Sequence, residues 1–147
     1  LTSLQNNARL SNIELAKEVG LTPSPCLRRV KSLEEKGIIS AYSALINQKK
    51  VGLSVNVFVQ VSLERQTEDH LEIFEEKIKE YSEVMEAYLM TGEADYLLRI
   101  VVKDLEKYEL FLKENLTRIP GVSSIRSYFS LKQVIKKYSL PLKHPKE

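Results

Sequence analysis

Tryptophan is absent, cysteine occurs once, histidine twice, and glycine and proline five times each in 147 residues. Each shortage excludes something. The lone Cys26 cannot form an internal disulfide, which fits a chain working in a reducing cytoplasm. His70 and His144 lie far from Cys26 and from each other in sequence, so no metal-ligand spacing exists, and neither a metal nor a cofactor is expected. Little Gly and Pro with 43% hydrophobic residues excludes a low-complexity chain and leaves room for a real core. No apolar run approaches the ~20 residues of a membrane helix, and no signal peptide is visible. Phosphate-cradling glycine loops and nucleophile elbows are missing too. The carboxylates of the 72–80 stretch (Glu72, Glu75, Glu76, Glu80) sit at spacings that place them on a solvated helix face, and Cys26 takes an inward helical position without a nearby His. An enzyme is not expected.

Net charge is only +2, but its distribution is uneven. Residues 1–50 hold eight Lys/Arg against four Asp/Glu, and the rest hold fourteen against sixteen. A basic first third suggests that this part alone meets a polyanion.

Residues 1–7 read as the tail of a helix whose beginning precedes Leu1. Ser11 with Glu14 forms a capping box, and Ile13, Leu15, Ala16 and Val19 make an apolar stripe that stops at Gly20. Thr22 caps a second helix with Pro23 at its first position, where the missing N–H costs nothing. Pro25 is tolerated in the same turn. Cys26, Leu27, Val30 and Leu33 are expected inward, while Ser24, Arg28, Lys31 or Ser32, and Glu35 run along another face, with Arg29 between. Gly37 ends the helix, and Ile38–Tyr42 reads as a strand or wing. Asn12–Lys31 is thus the sequence form of a helix-turn-helix with a basic second helix. Residues 1–42 are expected as one domain and 43–53 as a connector.

Residues 54–138 have another rhythm. Val55, Val57, Val59, Val61 and Leu63 alternate with Asn56, Phe58, Gln60 and Ser62, a half-buried strand. Thr67 caps a helix with Leu71, Phe74, Ile78 and Tyr81 inward. Strands over 84–91 and 95–102 flank a Gly92-Glu93-Ala94 turn. Asp104 caps a helix with Leu105, Tyr108, Phe111, Leu112 and Leu116 inward, and a last strand runs from Val122 to about Val134. The order β-α-β-β-α-β predicts an α+β, ferredoxin-like domain: a four-stranded antiparallel sheet with both helices on one face. The open face, carrying Phe58, is expected to meet a second copy. Residues 139–147, with Pro141 and Pro145, are expected to form a loose tail.

Two stretches carry chemistry. At the start of the basic helix, Arg28 fits a guanine edge, Ser24 and Thr22 fit phosphate or base, and Arg29 and Lys31 fit the backbone. The helix's opening N–H groups favour phosphate. The same residues would also serve as a solvated basic face. At Thr91–Tyr96, Gly92 would expose N–H groups to a small carboxylate while Asp95 or Glu93 accepts an ammonium, as a free amino acid requires. A plain hairpin turn would need the same residues.

SNIELAKEVGLTPSPCLRRVKSLEEKGII resembles the helix-turn-helix of the leucine-responsive regulatory protein (Lrp/AsnC) family. YLMTGEADYLLRIVV followed by LTRIPGVSSIRSYFSLKQV resembles that family's effector and assembly domain. The likeness covers nearly the whole chain in order. It departs at the N-terminus, where the family's earlier Asp-x-x-Asp-x-x-Ile-Leu run is mostly absent. The resemblance implies a transcription regulator with a winged helix-turn-helix that binds double-stranded DNA, dimerises and often forms octamers. It also implies a free amino acid as effector, bound in the second domain between dimers. The DNA motif then falls on Asn12–Lys31, including Thr22, Ser24, Pro25, Arg28, Arg29 and Lys31. Effector-response positions fall on Asp95, Leu105, Tyr128, Phe129 and Ser130, with Gly92, Glu93, Ala94 and Tyr96 as the shell. Tyr128-Phe129-Ser130 replaces the Tyr-Val-Val usual in leucine-responsive members, so leucine, methionine or another amino acid stays open.

Two chains joined through their sheet domains would set two basic helices about one DNA turn apart, ~34 Å, to read a pseudo-palindrome. The rival reading is an amino-acid-binding module whose N-terminal helices dock a protein. Steep salt dependence of DNA binding separates the two.

Overall fold

The computed structural model describes residues 1–142; His144 and Pro145 lie outside the described residues. The chain divides into two compact units, residues 1–45 with the described residues from 134 on, and residues 46–133.

Three helices build the first unit: α1 (Thr2–Asn6), α2 (Asn12–Glu18) and α3 (Pro23–Glu35). The capping box forms as its residues dictate. Ser11 Oγ accepts from the Glu14 N–H at 3.2 Å, and Glu14 Oε2 accepts from the Ser11 N–H at 2.8 Å. Helices α2 and α3 stop the same way. Leu21 N–H bonds Ala16 O and Ile38 N–H bonds Leu33 O, with the Gly20-to-Lys17 and Gly37-to-Glu34 bonds nested inside them. This is the double bond pattern that satisfies a helix's last carbonyls. Asn12 Nδ2 donates to Pro23 O at 2.7 Å and ties the start of α2 to the start of α3.

The core of this unit is Leu15, Ala16 and Cys26, with Leu4, Leu10, Leu21 and Val30 packed around them. Ile13, Val19 and Leu27, expected inward, are exposed. Helix α2 has only two turns, so its central pair alone faces α3, and Leu27 sits one residue round from Cys26. Ile38–Tyr42, expected as a strand or wing, pairs with no other strand among the described residues, because a strand needs a second one to bond and this unit has none. Tyr42 instead donates its hydroxyl to Glu34 at 2.7 Å. At the other end of the chain, Leu140 N–H bonds Gln5 Oε1 at 2.7 Å and fixes part of the segment expected to be loose.

The second unit contains β1 (Val55–Leu63), α4 (Glu68–Lys79), β2 (Val84–Leu89), β3 (Tyr96–Val102), α5 (Leu105–Glu114) and β4 (Val122–Phe129). All pairings are antiparallel and the strand order is β2-β3-β1-β4, the ferredoxin-like arrangement. Val57, Val59 and Val61 are fully buried against Phe74, Ile78, Tyr108, Phe111 and Leu116. The alternation in β1 is therefore the sheet's two faces.

Two expectations fail here for geometric reasons. Strand β4 ends at Phe129 rather than near Val134. Its partner β1 begins at Val55, Val57 opposes Phe129, and Ser130 N–H to Asn56 O at 3.0 Å is the last bond available. Leu105, expected inward, is 62% exposed because it opens α5, just after the Asp104 cap.

Candidate DNA-binding surface and effector site

Helix α3 presents Ser24, Leu27, Arg28, Lys31, Ser32 and Glu35 along one open groove. Arg28, Arg29 and Lys31 are exposed, and among the described residues none has a carboxylate within ion-pair distance. Their charges are free for an outside partner. Thr22 caps α3 through its backbone position without a side-chain bond, which leaves its hydroxyl unused. The opening N–H groups offer less than expected. Pro23 and Pro25 have none, and Cys26 N–H bonds Thr22 O at 3.2 Å, so Ser24 supplies the single free donor of that turn.

In the second unit, the turn between β2 and β3 closes through Met90 N–H to Asp95 O at 2.8 Å. Gly92 takes φ +133, a conformation that side-chain-bearing residues rarely adopt. A cavity of about 290 Å³ opens beside the turn, lined by Gln60, Met90, Thr91, Glu93, Ala94, Tyr96 and Leu97. Apolar Met90 and Leu97 are joined there by polar Gln60 and Glu93. The Glu93 side chain is 90% exposed and lies 3.5 Å from Arg126.

Asp95 points elsewhere. It is 7% exposed, and its carboxylate accepts from Leu63 N–H at 2.7 Å and from Gln66 Nε2 at 2.6 Å. Tyr96 is buried too. Its ring packs on Phe74 with centroids 4.5 Å apart, and its hydroxyl donates to Glu75 at 2.8 Å. Burial first, then the Glu75 carboxylate, pushes that phenol well above its ordinary range.

Residues 1–40 match the family "Winged helix-turn-helix DNA-binding", and residues 56–140 match "Lrp/AsnC ligand binding domain". The chain belongs to the Lrp/AsnC family. It is 48% identical to the Bkd operon transcriptional regulator of Pseudomonas aeruginosa over 142 residues, covering 97% of this chain and 93% of that one. It is 41% identical to the leucine-responsive regulatory protein of Escherichia coli over 143 residues, 97% and 87% of the two chains. Its structure resembles that of a Neisseria meningitidis transcriptional regulator in complex with L-Met, at a TM-score of 0.91 and 40% identity over 96% of this chain and 91% of that one. As an Lrp/AsnC member it is a DNA-binding transcription regulator with an amino-acid-binding domain, and not an enzyme. No helix among the described residues is long and apolar enough to cross a membrane.

Within one chain the effector positions expected of an Lrp/AsnC regulator do not meet. Gly92, Glu93, Ala94, Asp95 and Tyr96 lie at the start of β3, whereas Leu105 follows its end. Six strand residues, from Leu97 to Val102, separate them, ~20 Å at the usual rise. Tyr128, Phe129 and Ser130 are divided by strand alternation. Tyr128 faces the open side and donates to Gln60 Oε1 at 3.2 Å, joining the turn's cavity. Phe129 faces the helices, edge-on to Tyr108 at 5.3 Å between centroids. Ser130 ends the ladder. The turn group thus collects Tyr128, while Phe129 keeps company with α5. Thr91, the first residue of the candidate turn, lines the cavity, and Gln60, Met90, Leu97 and Arg126, which no sequence motif marks, stand at it or its rim. Gln60 was placed on the open face by alternation, but only the register, Leu97 opposite Gln60 opposite Arg126, assembles the group.

Proposed function

We propose that this regulator responds to an apolar amino acid, methionine foremost, and couples its binding to assembly. The split of effector positions carries the reading. One chain supplies the turn with Gln60 and Tyr128, and a neighbouring chain supplies the surface around Leu105, Phe129 and Ser130, so the site is complete only between chains. At the turn, Glu93 takes the ammonium, the Gly92 N–H and Arg126 take the carboxylate, and Met90 with Leu97 receives the side chain. The Neisseria relative crystallised with L-Met supports methionine, and the leucine-responsive relative makes leucine the nearest competitor. Asp95 serves here as a support of the turn.

Chains pair through the open sheet face into dimers that associate further, to an octamer where four dimers close a ring. The pair presents two α3 helices to successive major grooves. Arg28 and Ser24 read bases, and Thr22, Arg29 and Lys31 hold phosphates, with Pro25 fixing the helix start. The protein acts in the cytoplasm, on genomic DNA. A thermal-shift panel of the twenty amino acids, with sizing of every hit, tests the reading. Methionine or leucine should raise the melting temperature and change the assembly mass together; a hit that stabilises without any change in mass removes the coupling.

A further inference from the structure

Asp95 is the one buried charged side chain among the described residues, and no cation there lies within ion-pair distance of it. A buried carboxylate without a counter-charge is costly unless hydrogen bonds hold it. Two do. The Leu63 N–H belongs to the end of β1. The other donor is Gln66, an exposed residue of the loop between β1 and α4, reaching Asp95 Oδ1 at 2.6 Å. The backbone of Asp95 meanwhile closes the effector turn on both sides: its N–H bonds Val61 O at 3.0 Å and its carbonyl accepts from Met90 at 2.8 Å. Whatever places the Asp95 carboxylate therefore places Met90, Thr91, Glu93 and Ala94, four of the residues lining the cavity.

We propose that Gln66 is a positioning residue of the effector site, which fixes the turn through Asp95 while leaving the negative charge of Asp95 uncancelled. The inference rests on the reading that the turn holds the amino acid. A lysine or arginine at 66 would hold the carboxylate as well or better, but would neutralise it. A neutral amide holds it and keeps the field of Asp95 beside that of Glu93, favouring an α-ammonium. Gln66 touches no effector; it acts through Asp95 alone.

The test compares Gln66→Lys and Gln66→Leu with the parent two-domain protein, using L-methionine, thermal melting and amide hydrogen exchange. Gln66→Lys should keep or raise the melting temperature and yet weaken L-methionine about five- to tenfold, the size of one lost medium-range charge attraction. Gln66→Leu should weaken it at least as much and speed exchange at the Met90 and Asp95 amides. A merely structural role predicts that affinity follows stability, so tighter binding by Gln66→Lys overturns the proposal. Affinities within twofold of the parent in both variants overturn it too. If the parent binds none of the twenty amino acids, the effector reading of the turn falls. The positioning is then judged by exchange alone, and unchanged protection of Met90 and Asp95 in Gln66→Leu refutes it.

Discussion

Arg28→Ala tests the DNA reading most directly. Arg28 is the sixth residue of α3, one turn after Ser24 on the same groove, exposed and without a carboxylate partner among the described residues. Its removal should leave the fold nearly unchanged, within about 0.5 kcal/mol. If it bonds a base edge, each copy contributes about 1–3 kcal/mol of discrimination. A two-fold pair loses both copies, about 4 kcal/mol, or roughly a thousandfold on the specific operator. Non-specific duplex affinity and the salt slope should hardly move. Lys31→Ala is the contrasting case: as a phosphate contact it should weaken all sequences alike and flatten the slope of log K against log salt by about 0.9 per copy, near two for the pair. Gel retardation of operator and scrambled duplex at four salt concentrations reads both quantities. Equal losses on the two duplexes with a flattened slope in Arg28→Ala would make Arg28 a phosphate contact, and no loss would remove it from the interface.

Ser11→Ala removes the cap of α2 and should lower the stability of the first unit by about 1 kcal/mol, seen as an earlier loss of helical signal in urea. Hydrogen bonds from Ser11 hold the Glu14 carboxyl below its usual range. Their contribution is therefore present above about pH 4.3 and lost as pH falls through the depressed value, so the parent should lose stability on that acid side, and Ser11→Ala, which keeps only the backbone bond to Glu14, should lose less. Tyr96 is raised instead: its share of stability is full below about pH 10 and declines above. Tyr96→Phe should cost about 1 kcal/mol at neutrality and flatten the alkaline limb of a melting-temperature profile. Gly121→Ala forces a side chain into φ +84 with its Cβ 3.2 Å from His70 Cδ2. It should cost about 1–2 kcal/mol by urea unfolding, of which adding His70→Ala recovers the crowding but not the backbone strain. Phe58→Glu puts a charge at the middle of the open sheet face and should yield monomers in analytical ultracentrifugation; an unchanged dimer mass would place the pairing surface elsewhere.

Local patterns were legible in the residues because their causes are local. Ser11 and Glu14 are three apart and make their box whatever surrounds them. The Val run from 55 to 61 alternates because a strand does, and it is fully buried at 57, 59 and 61. The errors arise where a distant partner decides. Strand β4 stops at Phe129 because β1 starts at Val55, more than seventy residues earlier. Asp95 is oriented by the Leu63 N–H, 32 residues away, which no local motif announces, and by a glutamine that reads as ordinary loop. The resemblance assigns both Leu105 and Gly92 to the effector response, but the length of β3 keeps them apart within one chain.

The open sheet face carries the reason for proposing that pairing belongs to the second unit. Glu86, Arg99, Phe58 and Tyr128 form one row across all four strands. Apolar Phe58 gives such a row its reason to be covered, while a buried unpaired charge would oppose it. Arg99 is already bonded within the chain, at 2.9 Å from Glu86, and its side chain is only 21% exposed. A second copy can cover the row without orphaning a charge. Helix α3 has no such provision: among the described residues its cations have no ion-pair partner, and they stand beside a core of three buried residues. A surface of that kind gains little from meeting its own copy and much from meeting a polyanion. Under the proposed pairing, the chain separates its two attachments by chemistry, with satisfied charges on the face proposed to meet a second copy and unsatisfied charges on the helix proposed to meet DNA.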